Sequence, residues 1–314
     1  MPRHLLRRLA LLPLILLLTS LAIFLLPYLT GIDPTLAIIR ARIGERTIEP
    51  AAVTQLRSEL GLDRNLGGQY LVWISDVVRG DLGFSYVSRA PVGVILGRGV
   101  RVTAALTITT LTLALLLALP LGIGAARRPG SWLDLLIMVG CQAGVAIPQY
   151  VLAPCFILLF ALWLGWLPSA GWRGPSFAVL PVLTLLPAPL AYFTQATRAA
   201  LLDVFNADYM RTARAKGLGP GSLLYRHALR NALIPVATLV TLWLAGLLGG
   251  SVIVEVIFAV PGLGRILYDA VIAGDLPLVQ AGLLLLVGLA IVISTLTDLL
   301  YLWLNPAMRL SQSR

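Results

Sequence analysis

Charged residues are scarce in this sequence. They make up 12% of the 314 residues, whereas hydrophobic residues make up 58%. A typical soluble domain carries about 25% charged residues. So low a charge content excludes an ordinary soluble globular protein, and the chain is predicted to be an integral membrane protein.

Lysine is nearly absent, because Lys216 is the only one in the chain. A phosphate-binding loop needs a lysine in the pattern G-K-[ST], where its ammonium contacts the β- and γ-phosphates of ATP. Lys216 is followed by Gly217 and does not fit this pattern. The chain therefore cannot itself be a P-loop ATPase. We expect no cofactor on this chain, and any ATP that drives it to bind to another polypeptide.

Cysteine and histidine are also rare. Cys141 and Cys155 lie on one predicted helix, about 21 Å apart, which is too far for a disulfide. His4 and His227 are distant in sequence, so no metal cluster is indicated. The sequence contains no serine nucleophile elbow and no H-E-x-x-H motif. A membrane enzyme is therefore disfavoured, and both cysteines are predicted to serve in packing.

Six apolar stretches are long enough to cross a bilayer as helices. They cover roughly residues 9–29, 102–126, 135–162, 178–197, 232–258 and 281–304. Prolines within them are compatible with spanning helices, because neighbouring helices and waters can satisfy the freed carbonyls. The first run is long for a signal peptide and has no clear cleavage site, which favours a retained helix. The predicted fold class is an all-α integral membrane protein with six transmembrane helices.

The distribution of basic residues predicts the orientation. With the N-terminus inside, the cytoplasmic segments would be 1–8, 127–133, 198–231 and 305–314. These segments hold thirteen of the 24 lysines and arginines, and Asp203 and Asp208 are their only acids. The opposite segment, 31–101, carries nine arginines and seven acids. Both termini are therefore predicted to be cytoplasmic. The net charge of +10 reflects this topology and not nucleic-acid binding, for which no motif is present.

One basic stretch interrupts the apolar sequence: DYMRTARAKGLGPGSLLYRHALRNALIP, from Asp208 to Pro235. A helix is predicted over 199–216, with an apolar face made by Leu201, Leu202, Phe205, Tyr209 and Met210. Glycines and a proline at 217–221 break it, and a second helix is predicted to begin near Ser222 as its N-cap.

Three functions are open for this stretch on its residues alone. It could be a solvated loop that only obeys the charge rule. It could bind anionic lipid in a channel or receptor. It could also dock a partner, because small residues allow close approach while arginines meet acidic groups. The small residues are Thr212, Ala213, Ala215 and Gly217.

The stretch resembles the EAA loop of ABC importer permeases, and in particular the B-type permeases of the dipeptide/oligopeptide/nickel importer family. DYMRTARAKGL and RHALRNALIP carry this resemblance. Further blocks match in the family's order: 60–92, LPLGIGAARRPGSWLD (119–134), GGSVIVEVIFAVPGLGRILYDAV (249–271), DLPLVQ (275–280) and DLLYLWLNPAMR (298–309). The chain departs from the generic loop at Arg211, where a glutamate is usual. Asn305 begins the last block's N-P-A-M-R, where the family more often has Asp-Pro-Arg.

The resemblance implies the type I importer permease fold in the cell inner membrane. It divides the chain into a cytoplasmic N-terminus with the first helix (1–30), an external, periplasmic helical segment (31–101), a transmembrane core (102–304) with the coupling loop 198–231, and a cytoplasmic tail (305–314). It implies as partners a homologous second permease, one or two ABC ATPase subunits that carry ATP and Mg, and a periplasmic or lipid-anchored solute-binding protein.

The resemblance also implies site residues. Coupling to the ATPase falls on Asp208, Tyr209, Arg211, Thr212, Ala213, Arg214, Ala215, Lys216, Gly217, His227 and Asn231. The translocation pathway or gate falls on Glu255, Phe258, Pro261, Gly262, Gly264 and Asp298. No catalytic or metal site is implied.

Two acids lie within predicted spans, where a charge is costly and usually faces the bundle interior or a cavity. Glu255 is expected at the outer gate, with Phe258 and the turn at 261–264. Asp298 is expected towards the inside. An ion pair is the alternative for each, for example Glu255 with Arg265.

The substrate is the least determined property. Members of the family carry peptides, nickel complexes, metallophores, glutathione or sugars. The chain is predicted to import peptides or related small solutes, with nickel or a metallophore complex as the alternative. The short segment 167–181 and the long segment after GIDP (31–34) favour the oligopeptide and nickel/metallophore members.

Overall fold

The computed structural model describes residues 3–29, residue 58 and residues 64–304. For residues 3–11, 220, 298 and 300–304 it describes the backbone alone. Within these ranges the regular structure is helical, apart from one isolated β-bridge between Phe84 and Pro91. The predicted all-α fold class is confirmed.

Twelve helices are labelled here in chain order. They are α1 (Arg3–Leu29), α2 (Leu66–Val78), α3 (Val92–Arg127), α4 (Trp132–Ala146), α5 (Gln149–Phe156), α6 (Ser176–Leu185), α7 (Pro187–Asn206), α8 (Asp208–Ala215), α9 (Leu229–Gly250), α10 (Val252–Ile257), α11 (Leu263–Ala273) and α12 (Leu276–Leu304). Two π-helical segments extend the series: Ile157–Trp163 continues α5, and Leu223–Ala228 leads into α9. A single helical turn, Pro220–Ser222, precedes the second of these.

Four of the described helices are long and apolar enough to cross a membrane, and the number is six if each of two bent pairs is one span. A proline follows each bend, but only at the sharper one is the preceding residue driven out of the helical region, as expected for a residue before proline; Leu186 before Pro187 keeps helical φ and ψ of −63° and −43°. Ile147 before Pro148 is extended, and the helices on either side meet at 95°. A gentler bend of 53° separates α6 from α7, which begins at Pro187.

Four predicted spans differ from the structure, and the fourth of the six, 178–197, is divided between α6 and α7. The third predicted span is broken, so Cys141 and Cys155 lie on different helices, and both are free cysteines. The second begins at Val92 and not near 102, because its first turns are amphipathic: Val92 and Leu96 are buried while the arginines at 98 and 101 are exposed. The fifth predicted span, 232–258, ends at Gly250, and the short helix α10 follows it.

The described chain forms two compact units, of which the first comprises residues up to Thr103 together with Pro261–Ile291. Its apolar core joins the start of α3 to α11 and the first turns of α12. A group of aromatic side chains, Phe24, Tyr28, Tyr70 and Trp73, packs α1 against α2. The division of the chain into external segment and core, as expected from the sequence, stays a prediction.

A buried carboxylate holds the loop between α2 and α3. Asp275 accepts a hydrogen bond from the Ser85 hydroxyl (2.5 Å) and another from the Tyr86 backbone N–H (3.1 Å). Both Asp275 and Ser85 are buried. Hydrogen bonds to a charged group contribute about 1.5–3 kcal/mol each. The loop is therefore tied firmly to the residue that precedes α12.

The second unit comprises Ala104–Val260 and the chain from Val292 onward. In it α7 packs against both α4 and α9. Gly122 in α3 permits a close approach to α7, since a Cβ atom there would lie 2.6 Å from the Thr197 Cβ and 2.9 Å from the Thr194 carbonyl oxygen. Small residues at such crossings let helix backbones approach closely in membrane proteins.

We expect Gly122→Ala to destabilise the protein by about 1–3 kcal/mol, because the added methyl overlaps the backbone of α7. The control is Gly124→Ala in the same helix, where the nearest atom to a new Cβ, the Ile137 Cδ1, is 3.9 Å away. That change should be neutral or stabilising by up to about 1 kcal/mol through helix propensity. Thermal unfolding of the detergent-solubilised chain measures both. Equal effects of the two substitutions would contradict the close approach.

Candidate functional site

The basic stretch forms two short helical segments, as expected, but its first part is not one helix. The predicted helix over 199–216 is divided at Ala207, which is extended between α7 and α8. Asp208 opens α8, where an acidic side chain interacts favourably with the helix dipole. The division turns α8 away from the axis of α7.

Gly217 ends α8 in the left-handed region, with φ of 78°. The Leu218 N–H donates to the Ala213 carbonyl (3.4 Å), and the Gly217 N–H donates to the Arg214 carbonyl (2.9 Å). These two bonds form a Schellman motif, which favours glycine at this position because other residues resist a positive φ. The predicted hinge at Gly217 is therefore present.

The inner face of α8 is apolar and buried. Met210 and Ala213 belong to a core cluster formed with residues of α3, α7 and the segment after the turn. The remaining buried members are Ala126, Leu201, Leu223, Leu224, Ala228 and Ala232. Ala213, expected among the small residues that meet a partner, thus packs inward in this structure.

Two hydrogen bonds hold α8 to its neighbours. The Asn231 amide donates to the Tyr209 hydroxyl (3.0 Å), which links α8 to α9. The Arg214 guanidinium donates to the Phe205 carbonyl (3.1 Å), which links α8 to the end of α7. Tyr209 was expected on the apolar face, yet its side chain is 45% exposed and its hydroxyl serves this bond.

The outer face of α8 and the following turn are exposed and basic. Besides Tyr209, Leu218 and Gly219, the exposed residues are Asp208, Arg211, Thr212, Arg214, Ala215, Lys216 and Gly217, and these seven form one set. Arg211 lies 3.5 Å from Asp208, but these side chains are 73% and 97% exposed, and such pairs contribute little to stability. We call this set the basic face.

The helix after the turn does not begin as predicted. Ser222 has helical φ and ψ of −64° and −41°, and its side chain makes no capping bond. Ser222 is already part of the helical turn Pro220–Ser222, and the Leu223 N–H donates to the Gly219 carbonyl (3.1 Å). Ser222 is therefore not the N-cap. His227 lies in the π-helical segment that follows, and Asn231 lies in the first turn of α9.

Sequence reasoning missed a buried ion pair behind this site. Arg198 of α7 donates to both oxygens of Asp134, each at 2.6 Å, and the Asp134 side chain is 5% exposed. The Gly130 N–H donates to the same carboxylate (2.9 Å), and Ser131 caps α4. The Ser131-x-x-Asp134 spacing is a capping pattern that could have revealed the helix start, although not the partner Arg198.

The residues expected at a gate fall in both compact units. In the second unit, buried Glu255 accepts from the Ser251 hydroxyl (2.8 Å), and the carbonyl of buried Phe258 accepts from the Gly171 N–H (2.8 Å). Pro261, Gly262 and Gly264 belong to the first unit, where Gly262 is extended before α11.

An ion pair, the alternative role for Glu255 and for Asp298, stays a prediction. Arg265 lies 3.5 Å from Asp269 within α11. The side chain of Asp298 lies outside those described. The gate assignment of all six residues is untested.

The described helices, four to six of which could cross a membrane, define a multi-pass membrane protein with a basic face on one short helix. Residues 118–310 match the family described as binding-protein-dependent transport system inner membrane component. Residues 1–95 match the N-terminal component of the same kind of membrane protein. The first match covers more than half of the chain, which therefore belongs to this family.

Curated relatives support the same family assignment. The chain is 39% identical over 290 residues to the glutathione transport system permease protein GsiC of Escherichia coli O6:H1, with 92% of this chain and 93% of the relative covered. The GsiC proteins of Escherichia coli K12 and Shigella dysenteriae show the same identity and coverage.

Two solved structures share the fold. The inward-facing MetNI methionine ABC transporter matches with a TM-score of 0.58 at 24% identity, over 67% of this chain and 96% of that one. An amino acid ABC transporter matches with a TM-score of 0.52 at 17% identity, over 66% and 92%. The protein is the permease subunit of an ABC importer of the dipeptide/oligopeptide family, as its motifs predicted. The enzyme and channel hypotheses are set aside.

We expect Asp134→Asn to destabilise the protein by about 2 kcal/mol, because Arg198 then loses its charged partner while remaining three-quarters buried. Asp208→Asn is the control, since it removes the acid of an exposed pair and should change stability little. Chemical unfolding of the purified chain measures both.

The double variant Asp134→Asn/Arg198→Gln should recover part of the loss, because no uncompensated charge remains. Equal losses of stability in Asp134→Asn and in the control Asp208→Asn would contradict a structural role for the buried pair.

Proposed function

We propose that this permease imports short peptides or related small solutes and that ATP is hydrolysed on separate partner subunits. The observation that carries the proposal is the basic face, an exposed charged surface on a helix whose opposite side is buried and hydrogen-bonded. Such a surface is suited to docking, because the exposed arginines can meet acids of a partner while the helix itself stays in place.

Packing and hydrogen bonds hold α8 to its neighbouring helices. Its inner face packs against α7 and the π-helical segment, and its two side-chain hydrogen bonds reach α7 and α9. A force on the basic face would therefore reach two membrane-spanning helices. Closure of an ATPase dimer on ATP and Mg would move α8 and with it these helices, which is alternating access. ATP can drive this change only by binding one conformation better than the other.

The proposed assembly contains three further kinds of protein partner. A homologous second permease pairs with this chain as a heterodimer in the bilayer. One or two kinds of ABC ATPase subunit bind on the cytoplasmic side, and Asp208, Tyr209, His227 and Asn231 shape the docking site with the basic face. A periplasmic or lipid-anchored solute-binding protein delivers the substrate from the outer side.

The substrate class follows from the relatives. The curated relatives are named for glutathione, which is a small peptide, and the chain aligns with them over more than nine-tenths of its length. Import of a peptide-class solute is the function best supported. A nickel or metallophore complex is not needed to account for any described residue.

The first test concerns Gly217. In the isolated chain a side chain at this position meets nothing within 4 Å, so Gly217→Trp should fold, at a backbone cost of about 1 kcal/mol for the positive φ. In the assembly the indole would hold the ATPase away. Uptake should fall at least tenfold, and the ATPase should co-purify poorly.

Gly80→Trp is the matched control, because Gly80 also has a positive φ of 84° and open space around it. It lies in the segment predicted to be external and should leave ATPase binding unchanged. The lone chain should hydrolyse no ATP in either variant. Normal coupling in Gly217→Trp would show that the turn is only a solvated loop.

The second test concerns orientation. In a background without Cys141 and Cys155, we expect Val87→Cys to react with a membrane-impermeant maleimide added outside intact cells. Ala215→Cys should react only after the membrane is opened. Both positions are exposed, so access depends on the side of the membrane. The reverse pattern would overturn the predicted cytoplasmic termini and the docking role together.

A further inference from the structure

A cavity of about 790 Å³ lies in the first compact unit, within the range of small-molecule sites in proteins. Its walls come from the end of α1, from Ser58 and Arg64 before α2, from α2 itself, from the loop after α2 and from the first turns of α12. None of the residues assigned to coupling or to the gate lines it. The cavity is therefore separate from the sites already described.

Charges of both signs line this cavity. Arg64 and Arg89 are the cations, and Asp76 and Asp81 are the carboxylates. Among the described residues these four form no ion pair with one another, although opposite charges in one cavity attract. Among the described residues the cavity thus presents two cationic groups and two carboxylates, of which Asp81 also accepts from the Gly83 N–H (2.9 Å).

The wall that carries Asp81 and Arg89 is held in place. Both residues belong to the loop that buried Asp275 binds through Ser85 and Tyr86. Arg89 is itself in the left-handed region, with φ of 58°, and its N–H donates to the Ser85 carbonyl (3.0 Å). A site whose groups are held before binding loses less entropy when a ligand arrives.

Aromatic side chains line the cavity too, together with aliphatic and amide side chains. Trp73 of α2 lines the cavity beside the charged residues. An indole face offers apolar contact area and can also attract an ammonium group. The combination of separated charges and aromatic surface fits a flexible zwitterion with side chains better than it fits a simple ion.

We propose that this cavity binds a short peptide with free termini. Asp76 or Asp81 receives the α-ammonium, Arg64 or Arg89 receives the α-carboxylate, and Trp73 contacts the side chains. Arginine suits a carboxylate because its planar guanidinium can donate two parallel hydrogen bonds. The inference rests on the proposed function, since it gives the permease a peptide site of its own.

The test uses the full-length purified chain in nanodiscs without any partner, so that binding is measured before transport. Equilibrium dialysis with radiolabelled trialanine should show saturable binding. N-acetyl-trialanine amide, which lacks both terminal charges, should bind at least about tenfold more weakly, as expected for lost charged hydrogen bonds. Equal binding of the two peptides would overturn the proposal.

Variants locate the site. Asp76→Asn in α2 and Arg89→Gln in the loop should each weaken trialanine binding about tenfold. Arg79→Gln is the matched control, because Arg79 lies at the end of α2 and does not line the cavity. Unchanged binding in Asp76→Asn, or loss of binding in Arg79→Gln alone, would overturn the assignment.

Two further outcomes distinguish the sources of failure. Displacement of trialanine by raising the phosphatidylethanolamine content of the nanodisc would show a lipid headgroup site and overturn the peptide proposal. In the complete transporter, Asp76→Asn should raise the KM for peptide uptake with little change in kcat. Absence of ATP-driven peptide uptake by the native transporter would refute the proposed function, whereas native uptake with an unchanged KM in Asp76→Asn would refute only this site.

Discussion

The absence of water from the hydrocarbon core is the constraint on which this structure depends. A spanning segment must satisfy its own backbone amides, and a helix does so within one segment. Several buried threonines follow the same rule, because their hydroxyls donate to the carbonyl four residues earlier; the pairs are Thr110 to Leu106, Thr184 to Leu180 and Thr197 to Phe193. The Thr107 hydroxyl in α3 is an exception, since it is buried without a hydrogen-bond partner. Small residues also let helices approach closely, as Gly122 does between α3 and α7.

Charge is used in two different ways in the second compact unit. Asp134 and Arg198 are shielded from solvent and share two short hydrogen bonds, so they join the start of α4 to α7. Asp208 and Arg211 are exposed and weakly paired, so they remain available to a partner. The Asp134–Arg198 pair stabilises the packing of α4 against α7, the helix that precedes α8. The Asp208–Arg211 pair lies on the exposed face of α8.

The first compact unit shows a comparable arrangement. A buried carboxylate, Asp275, holds the loop between α2 and α3, and this loop carries charged side chains into a cavity. In both units a buried acid fixes backbone: Asp275 bonds the Tyr86 N–H and Asp134 the Gly130 N–H. The family assignment explains why such fixed surfaces matter, since a permease subunit must keep its shape at each contact through which other subunits act on it.

The sequence by itself determined the membrane class, the helical fold, the family and the basic character of the loop at 208–235, because composition and ordered motifs record these properties directly. It also located the hinge at Gly217, since glycine is the residue that a left-handed turn requires. Tertiary structure decided which side of α8 is covered. Ala213 is buried and Tyr209 exposed because the segment after the turn packs against one face only. Pairings distant in sequence, Arg198 with Asp134 and Ser85 with Asp275, also needed the fold. No local pattern encodes them, since each depends on how separate helices pack together.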